Sequence, residues 1–265
     1  MILETASRFA LILALAALAS GCDLDGLDSS GDNNVTPSDW EDCPERLGGT
    51  WAFGRAPFGC TVDEVGSAET VRTDFADYIF DDAVQRTSER DRYMNALYEF
   101  LLEEAADYLR DRKPDVTDEE VGAWQRAVFA TAHQESFWTH YRKGDADAER
   151  LLTMIRGDMG HGHGLMQIDD RWHTDAIAAG VGWRLDENFL YALDIYFSEW
   201  ERALSTDCVD APNAWESRAR SAYSAYNGGP TQLCRWTDPD HRWAQNDEGF
   251  YDKYSFQRWL NHVSE

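Results

Sequence analysis

Between residues 73 and 265, apolar side chains recur mostly at steps of three and four, the period of helices that bury one face. The stretch YMNALYEFLLEEAADYLRDRK carries such a stripe at Tyr93, Leu97, Phe100, Leu101 and Tyr108, and Pro114 stops it. Thr117-Asp118-Glu119-Glu120 then has the form of a capping box, which opens a helix through about residue 137. A shorter helix is expected over 145–156. Asp186 is the expected cap of another, with Phe189, Leu193, Tyr196, Phe197, Trp200 and Leu204 as its stripe. Pro212 stands near the start of a further helix through Tyr226, and the end of the chain, from about 250, is also expected to be helical. Few segments alternate as half-buried strands do. The pattern predicts one mainly α domain over 73–265, of ordinary single-domain size.

The N-terminal part reads differently. Phe9 to Ala19 is an unbroken apolar run of 11 residues, too short to cross a bilayer as a helix and suited to the core of a signal peptide. Ala19-Ser20-Gly21-Cys22 follows and resembles the lipobox of bacterial lipoproteins, with its usual leucine, Leu18, one place early. That resemblance implies a signal peptide over 1–21 and acylation of Cys22. Ordinary signal cleavage that leaves a spare cysteine is the alternative. Residues 22–42 are rich in Asp, Ser, Gly and Asn and poor in apolar groups, which predicts a flexible acidic tether. Residues 43–72 contain two cysteines and several glycines and read as a disulfide-stapled segment.

Of the five cysteines, Cys22 is assigned to lipidation. The other four, Cys43, Cys60, Cys208 and Cys234, allow three pairings. Cys43–Cys60 with Cys208–Cys234 closes the shortest loops, and an exported chain sits where disulfides persist. No CxxC occurs, so a zinc site built on cysteine has little to stand on. With 49 acidic residues against 24 basic ones and a formal charge of −25, nucleic acid is not an expected partner. The 11 tryptophans and 11 tyrosines serve either core packing or a saccharide groove, and their number alone does not choose.

The chemistry starts on the helix after Thr117. Val121, Trp124, Val128 and Ala132 share a face, and the next step of three reaches Glu135. A carboxyl there meets desolvation and the negative end of the helix dipole, both of which raise its pKa. A carboxylic acid still protonated near neutral pH is what a glycosidase uses on a leaving oxygen. The alternative is a glutamate at a frayed helix end, turned to solvent. On a second helix Trp215, Ala219, Ala222 and Tyr226 share a face, and Tyr226 at its buried end is placed to hydrogen-bond a carboxylate. Asn227 then caps the helix, and Gly228-Gly229 let the chain turn.

Residues 157–173, GDMGHGHGLMQIDDRWH, admit three readings. A phosphate cradle requires a preceding strand and GxGxxG or GxxxxGK[ST], and neither is present. A metal site would draw on His161 and His163, with His133, His140 and His173 nearby. There is no HExxH, however, and HQE at 133–135 lacks the PCxxC of zinc deaminases. Loop histidines flanking a cleft, with glycines that let the backbone lie close to a sugar, is the third reading. No metal and no cofactor is expected.

Three pieces stand in one order: QES at 134–136, GDMGHGHGLMQIDDRWH, and SAYNGGP at 224–230. Together they resemble the lysozyme-like superfamily that contains soluble lytic transglycosylases and goose-type lysozymes, whose pattern is ES, GLMQ[IV], AYN[AG]G. The middle piece is most similar to the goose-type segment GDxGxGxGLMQxDxRxH. The resemblance implies a lysozyme-like helical domain with a substrate cleft, and Glu135 as catalytic acid with Ser136 beside it. It also implies a cleft wall of Gly164, Leu165, Met166, Gln167 and Ile168, in which Gln167 offers an amide and Met166 an apolar contact. Tyr226 and Asn227 match the pair facing the catalytic Glu. Asp158 and Asp169 match the two acids that goose-type enzymes hold near the attacking water, and His161 and His163 flank the cleft at variable positions. Besides the Cys43–Cys60 segment, which has no counterpart in the family, two features depart from the pattern. GDADAERLLTMIRG lengthens the stretch from Glu135 to Asp158, and Gly228 stands where Ala is common.

The implied activity is cleavage of the β-1,4 bond between N-acetylmuramic acid and N-acetylglucosamine in peptidoglycan. With a second carboxylate the outcome is hydrolysis with inversion, and Asp158 and Asp169 favour it. Without one, the sugar's own 6-hydroxyl closes an anhydro ring, as in lytic transglycosylases. The competing class is a wall-binding lipoprotein without catalysis, which would be expected to lack the Glu. The implied setting is a lipid-anchored monomer in the bacterial cell envelope, facing the periplasm or the exterior, with glycan strands as its partner.

Overall fold

The computed structural model describes residues 50–51, 54–55, 58–81, 87–143 and 152–263. The described residues all belong to one compact unit. The expected signal peptide, Cys22, the tether and Cys43 all fall outside the described residues. The chain begins with β1 (Thr50–Trp51), β2 (Gly54–Arg55), β3 (Phe58–Thr61), α1 (Val62–Val65), α2 (Ala68–Asp74) and β4 (Ile79–Asp81). Two long helices follow, α3 (Thr87–Arg112) and α4 (Asp118–Ser136). Then come β5 (Tyr141–Lys143), β6 (Leu152–Gly157), β7 (Gly162–His163) and β8 (Ile168–Asp169). The rest is helical: α5 (Thr174–Ala178), α6 (Leu185–Ala203), α7 (Trp215–Gly228) and α8 (Ala244–Phe256). The domain is mainly helical, as the periodicity predicts. Among the described residues no helix is long and apolar enough to cross a membrane.

α4 occupies the middle and packs against α3, α7 and α8. Alanines at 123, 127, 130 and 132 are buried along it and let its neighbours approach closely. Trp124 fills the remaining space, fully buried, and its indole N–H donates to the Ala105 carbonyl at 2.9 Å. Truncating such a side chain costs about 3–5 kcal/mol. Among the described residues, Trp124, Trp138, Trp200 and Trp259 are fully buried, so much of the aromatic content is core.

The helix start at Thr117 is half of the expected capping box. The Glu120 N–H donates to Thr117 Oγ1 at 3.1 Å. The Glu120 carboxylate does not fold back. Its Oε1 accepts from Lys113 Nζ (2.6 Å), Arg218 Nη1 (3.0 Å) and Trp200 Nε1 (3.3 Å), because a nearly buried carboxylate gains more from two cations than from one backbone N–H. Asp186 is not a cap either. Arg184 precedes the first turn of α6, and Asp186 lies within that turn.

The helix expected over 145–156 is a correction. Residues 144–151 lie outside the described residues, and Leu152–Gly157 is β6. β3 pairs along one edge of β6 (Cys60 opposite Met154), and β5 then β7 pair along the other. Both faces are covered and all six residues are buried, so no alternation shows in the sequence. The stretch that lengthens the chain before Asp158 thus supplies the sheet's central strand, and the segment from Phe58 on belongs to the same sheet.

Candidate active site

Glu135 is the penultimate residue of α4. The helix ends because Phe137 and Trp138 both take left-handed backbone, at φ 54° and 58°, a conformation that costs non-glycine residues about 1–2 kcal/mol each. The turn is held by burial. The Trp138 indole donates to the Phe129 carbonyl (2.9 Å) and stacks on Trp259 at 5.6 Å. Ser136, also buried, accepts from the Thr139 N–H through Oγ and donates to the Ala132 carbonyl. Ser136 therefore acts on the helix end that carries Glu135.

The Glu135 side chain is half-buried, and its Oε1 is closed to solvent without a hydrogen bond of full geometry. Burial pushes its pKa up from the ordinary 4.5 to about 7. The nearby polar groups of Tyr223 and Asn227, and the charges of Arg235 and Lys253, pull in the opposite direction. Tyr223 and Asn227 are four apart on α7 and so share a face. Tyr223 is the tyrosine placed to hydrogen-bond the carboxyl, although its buried hydroxyl also lacks a partner of full geometry. Tyr226, expected in that role, donates to the Met166 carbonyl at 2.7 Å. It ties the third motif to the second.

The GLMQ segment is held through its backbone. His140 Nδ1 accepts from the Leu165 N–H (2.9 Å), and its Nε2 contacts the Trp183 carbonyl (3.0 Å), which fixes the tautomer. Asn188 bridges the Met166 N–H and the His163 carbonyl, both at 3.0 Å. The side chains of Leu165, Met166 and Ile168 lie in the core, so a direct apolar contact of Met166 with a ligand lacks the surface it requires. Gln167, at φ 51°, donates its amide to the Gly164 carbonyl (2.7 Å). The glycines serve these internal contacts. A Cβ on Gly164 would stand 2.4 Å from His140 Cε1, and one on Gly162 would stand 2.5 Å from Gln167 Oε1.

Asp158 and Asp169 come together through Arg171. Its Nε and Nη2 reach both oxygens of Asp169 at 2.5–3.2 Å, and Nη2 also binds Asp158 Oδ2. Asp158 is the more exposed of the two. The histidines turn to the residue between the acid pair and Arg171. His161 Nδ1 and His163 Nε2 each contact an oxygen of the buried Asp170 at 2.8 Å, and Arg156 reaches it at 3.3 Å. Among the described residues no group of three or more His, Cys, Asp or Glu side chains is arranged to hold a metal ion. Cys208 and Cys234 are bonded, with Cα atoms 5.8 Å apart. Cys60 is disulfide-bonded as well.

The sequence pattern gives no role to Tyr223, Asp170 or Asn188, and offers His140 only as a histidine near a possible metal site. The i, i+4 spacing of Tyr223 and Asn227 was a usable signal for the first. Asn188 carries a signal too, as a polar residue within the buried stripe of Leu185, Phe189 and Ala192, whereas Asp170 and His140 sit in turns and bends with no periodic mark. No protein-family model, curated protein or solved structure matches the chain. What the site can do chemically follows from a near-neutral acid at a strained helix end, with a tyrosine and an asparagine facing it.

Proposed function

We propose that the chain is a peptidoglycan-cleaving glycosidase of the lysozyme-like kind, cutting the β-1,4 bond between N-acetylmuramic acid and N-acetylglucosamine. The observation that carries it is the Glu135 carboxyl, held protonated up to about pH 7 by burial, opposite Tyr223 and Asn227. The ordered motifs QES, GLMQI and AYNGG support the same reading. Glu135 gives its proton to the glycosidic oxygen as the bond to C1 breaks. In the hydrolytic reading, Asp158 takes a proton from a water that adds to C1 from the opposite face. Asp158 fits that role because its carboxylate is well exposed to solvent.

A second reading rests on Arg171 itself. Arg171 engages both acids, so its guanidinium occupies an oxygen of each that would otherwise meet a water. With neither acid available, Glu135, ionised after its first step, accepts the proton of the substrate's 6-hydroxyl. That oxygen attacks C1, and a 1,6-anhydro end results. In both readings the protein is exported, anchored through an acylated Cys22, and acts as a monomer on glycan strands of the bacterial envelope. The chemistry requires no cofactor.

The test is dye release from labelled, purified peptidoglycan by the wild-type protein and by Glu135→Gln. Release by the wild type alone is expected. Equal release by both would remove Glu135 from the chemistry, and binding of the glycan without release by either would point to a wall-binding protein.

A further inference from the structure

Asp247 and Arg235 form a pair that the proposed chemistry does not use. Their side chains are 2 % and 0 % exposed. Arg235 Nε and Nη2 donate to the two oxygens of Asp247 at 2.7 and 2.8 Å, and Ser224 Oγ adds a third hydrogen bond at 2.8 Å. Such a pair is costly to bury and gains its return only with near-complete hydrogen bonding. Among the described residues, the further side-chain hydrogen bond of Arg235 is to the site. Arg235 Nη2 donates to the Asn227 side chain at 3.1 Å, and Asn246 Nδ2 contacts the same atom at 3.2 Å.

A guanidinium has only donors, so the Asn227 atom it meets is the amide oxygen. The amide nitrogen is then the group left for Glu135, which Asn227 faces. Gly228 completes the arrangement. Its backbone is not left-handed, so it is not required there for the turn. A Cβ at 228 would instead stand 2.3 Å from Arg235 Nη1, inside the space the guanidinium fills. The glycine that departs from the common alanine and the buried arginine are one feature.

We infer that Asp247 and Arg235 are positioning residues of the site: Asp247 fixes the Arg235 fork, Arg235 fixes the Asn227 amide oxygen, and the Asn227 N–H is thereby aimed at Glu135. The catalytic consequence rests on Glu135 being the acid of the proposed cleavage. The arrangement sets how readily Glu135 loses its proton, since a donor aimed at the carboxylate favours the ionised form.

The experiment is a titration of the Glu135 carboxyl by 13C NMR in the full-length protein labelled at glutamate Cδ, with Glu135→Gln identifying its signal. Arg235→Lys keeps the charge and loses the fork. Gly228→Ala keeps every charged group and displaces the fork. Each is expected to move the Glu135 titration upward by about one pH unit, the worth of one hydrogen bond to a charged group. Neither should move it further in an Asn227→Ala background. An unchanged titration in folded Gly228→Ala protein, or an equal shift with and without Asn227, would overturn the inference. The alkaline limb of the pH–kcat/KM profile should move with the titration. If the titration moves as expected while Glu135→Gln still cleaves glycan, the positioning stands and the catalytic reading fails. If Glu135→Gln is inactive and the titration does not move, the positioning fails alone.

Discussion

The raised pKa of Glu135 makes a prediction that needs no substrate. Burial shifts the carboxyl from 4.5 to about 7, so the folded protein holds this proton more tightly than the unfolded chain does. Stability linked to it is therefore fully present below about pH 4.5. It declines as pH rises and is lost once pH passes about 7. Each pH unit between the two values is worth about 1.4 kcal/mol, so the ionised carboxyl destabilises the fold by on the order of 3 kcal/mol at pH 8. Glu135→Gln has nearly the same shape and cannot ionise. It should match the wild type within about 1 kcal/mol at pH 4 and exceed it by about 3 kcal/mol at pH 8. For a domain of this size that is a rise of about 6–12 °C in Tm. Urea unfolding of both proteins from pH 4 to 9, with disulfides intact, measures the difference directly. A difference that is flat with pH, or a wild type more stable at pH 8, would refute the claim that the Glu135 carboxyl is desolvated.

Three further substitutions probe the elements around Glu135. Gly164→Ala puts a Cβ into a left-handed position at φ 69° and 2.4 Å from His140, and calorimetry should show a loss of about 3 kcal/mol. Asp170→Asn weakens a buried carboxylate that Arg156, His161 and His163 all reach, and it should cost about 3 kcal/mol in urea unfolding while the Glu135 titration stays in place. Asp158 is exposed, so Asp158→Asn should change stability by less than about 0.5 kcal/mol. In the hydrolytic reading it lowers the release of reducing ends by about 100-fold, and undiminished release would take Asp158 out of the chemistry.

The helix that carries Glu135 was readable because its signals are local. Thr117 opens it, and a constant period carries the apolar face from Val121 to Ala132 and on to Glu135. The Cys208–Cys234 bond was readable for the same reason, since the bridge closes a short loop. Strand β6 was not, because burial on both faces removes the alternation that marks a strand. Asp170 carries no mark of its own between Asp169 and Arg171, since in a turn only the three-dimensional path decides which of two adjacent acids faces inward. Tyr226 stands out because it continues the stripe of Ala219 and Ala222; it too lies near the carboxyl, but its hydroxyl is taken by the Met166 carbonyl, and Tyr223 is the one placed to bond Glu135. The link from Asp247 through Arg235 to Asn227 joins residues from three separate segments and leaves no pattern in any one of them.

The central claim is that this chain cuts glycan strands with Glu135 as the acid. Its most direct test is a digest of purified, insoluble peptidoglycan with the full-length protein and with Glu135→Gln, followed by mass spectrometry of the soluble fragments. The account predicts disaccharide-peptide fragments from the wild type, carrying reducing N-acetylmuramic acid ends if Asp158 delivers water and 1,6-anhydro ends if Arg171 keeps both acids occupied. It predicts none from the variant. Fragments from both proteins, or from neither, would contradict it.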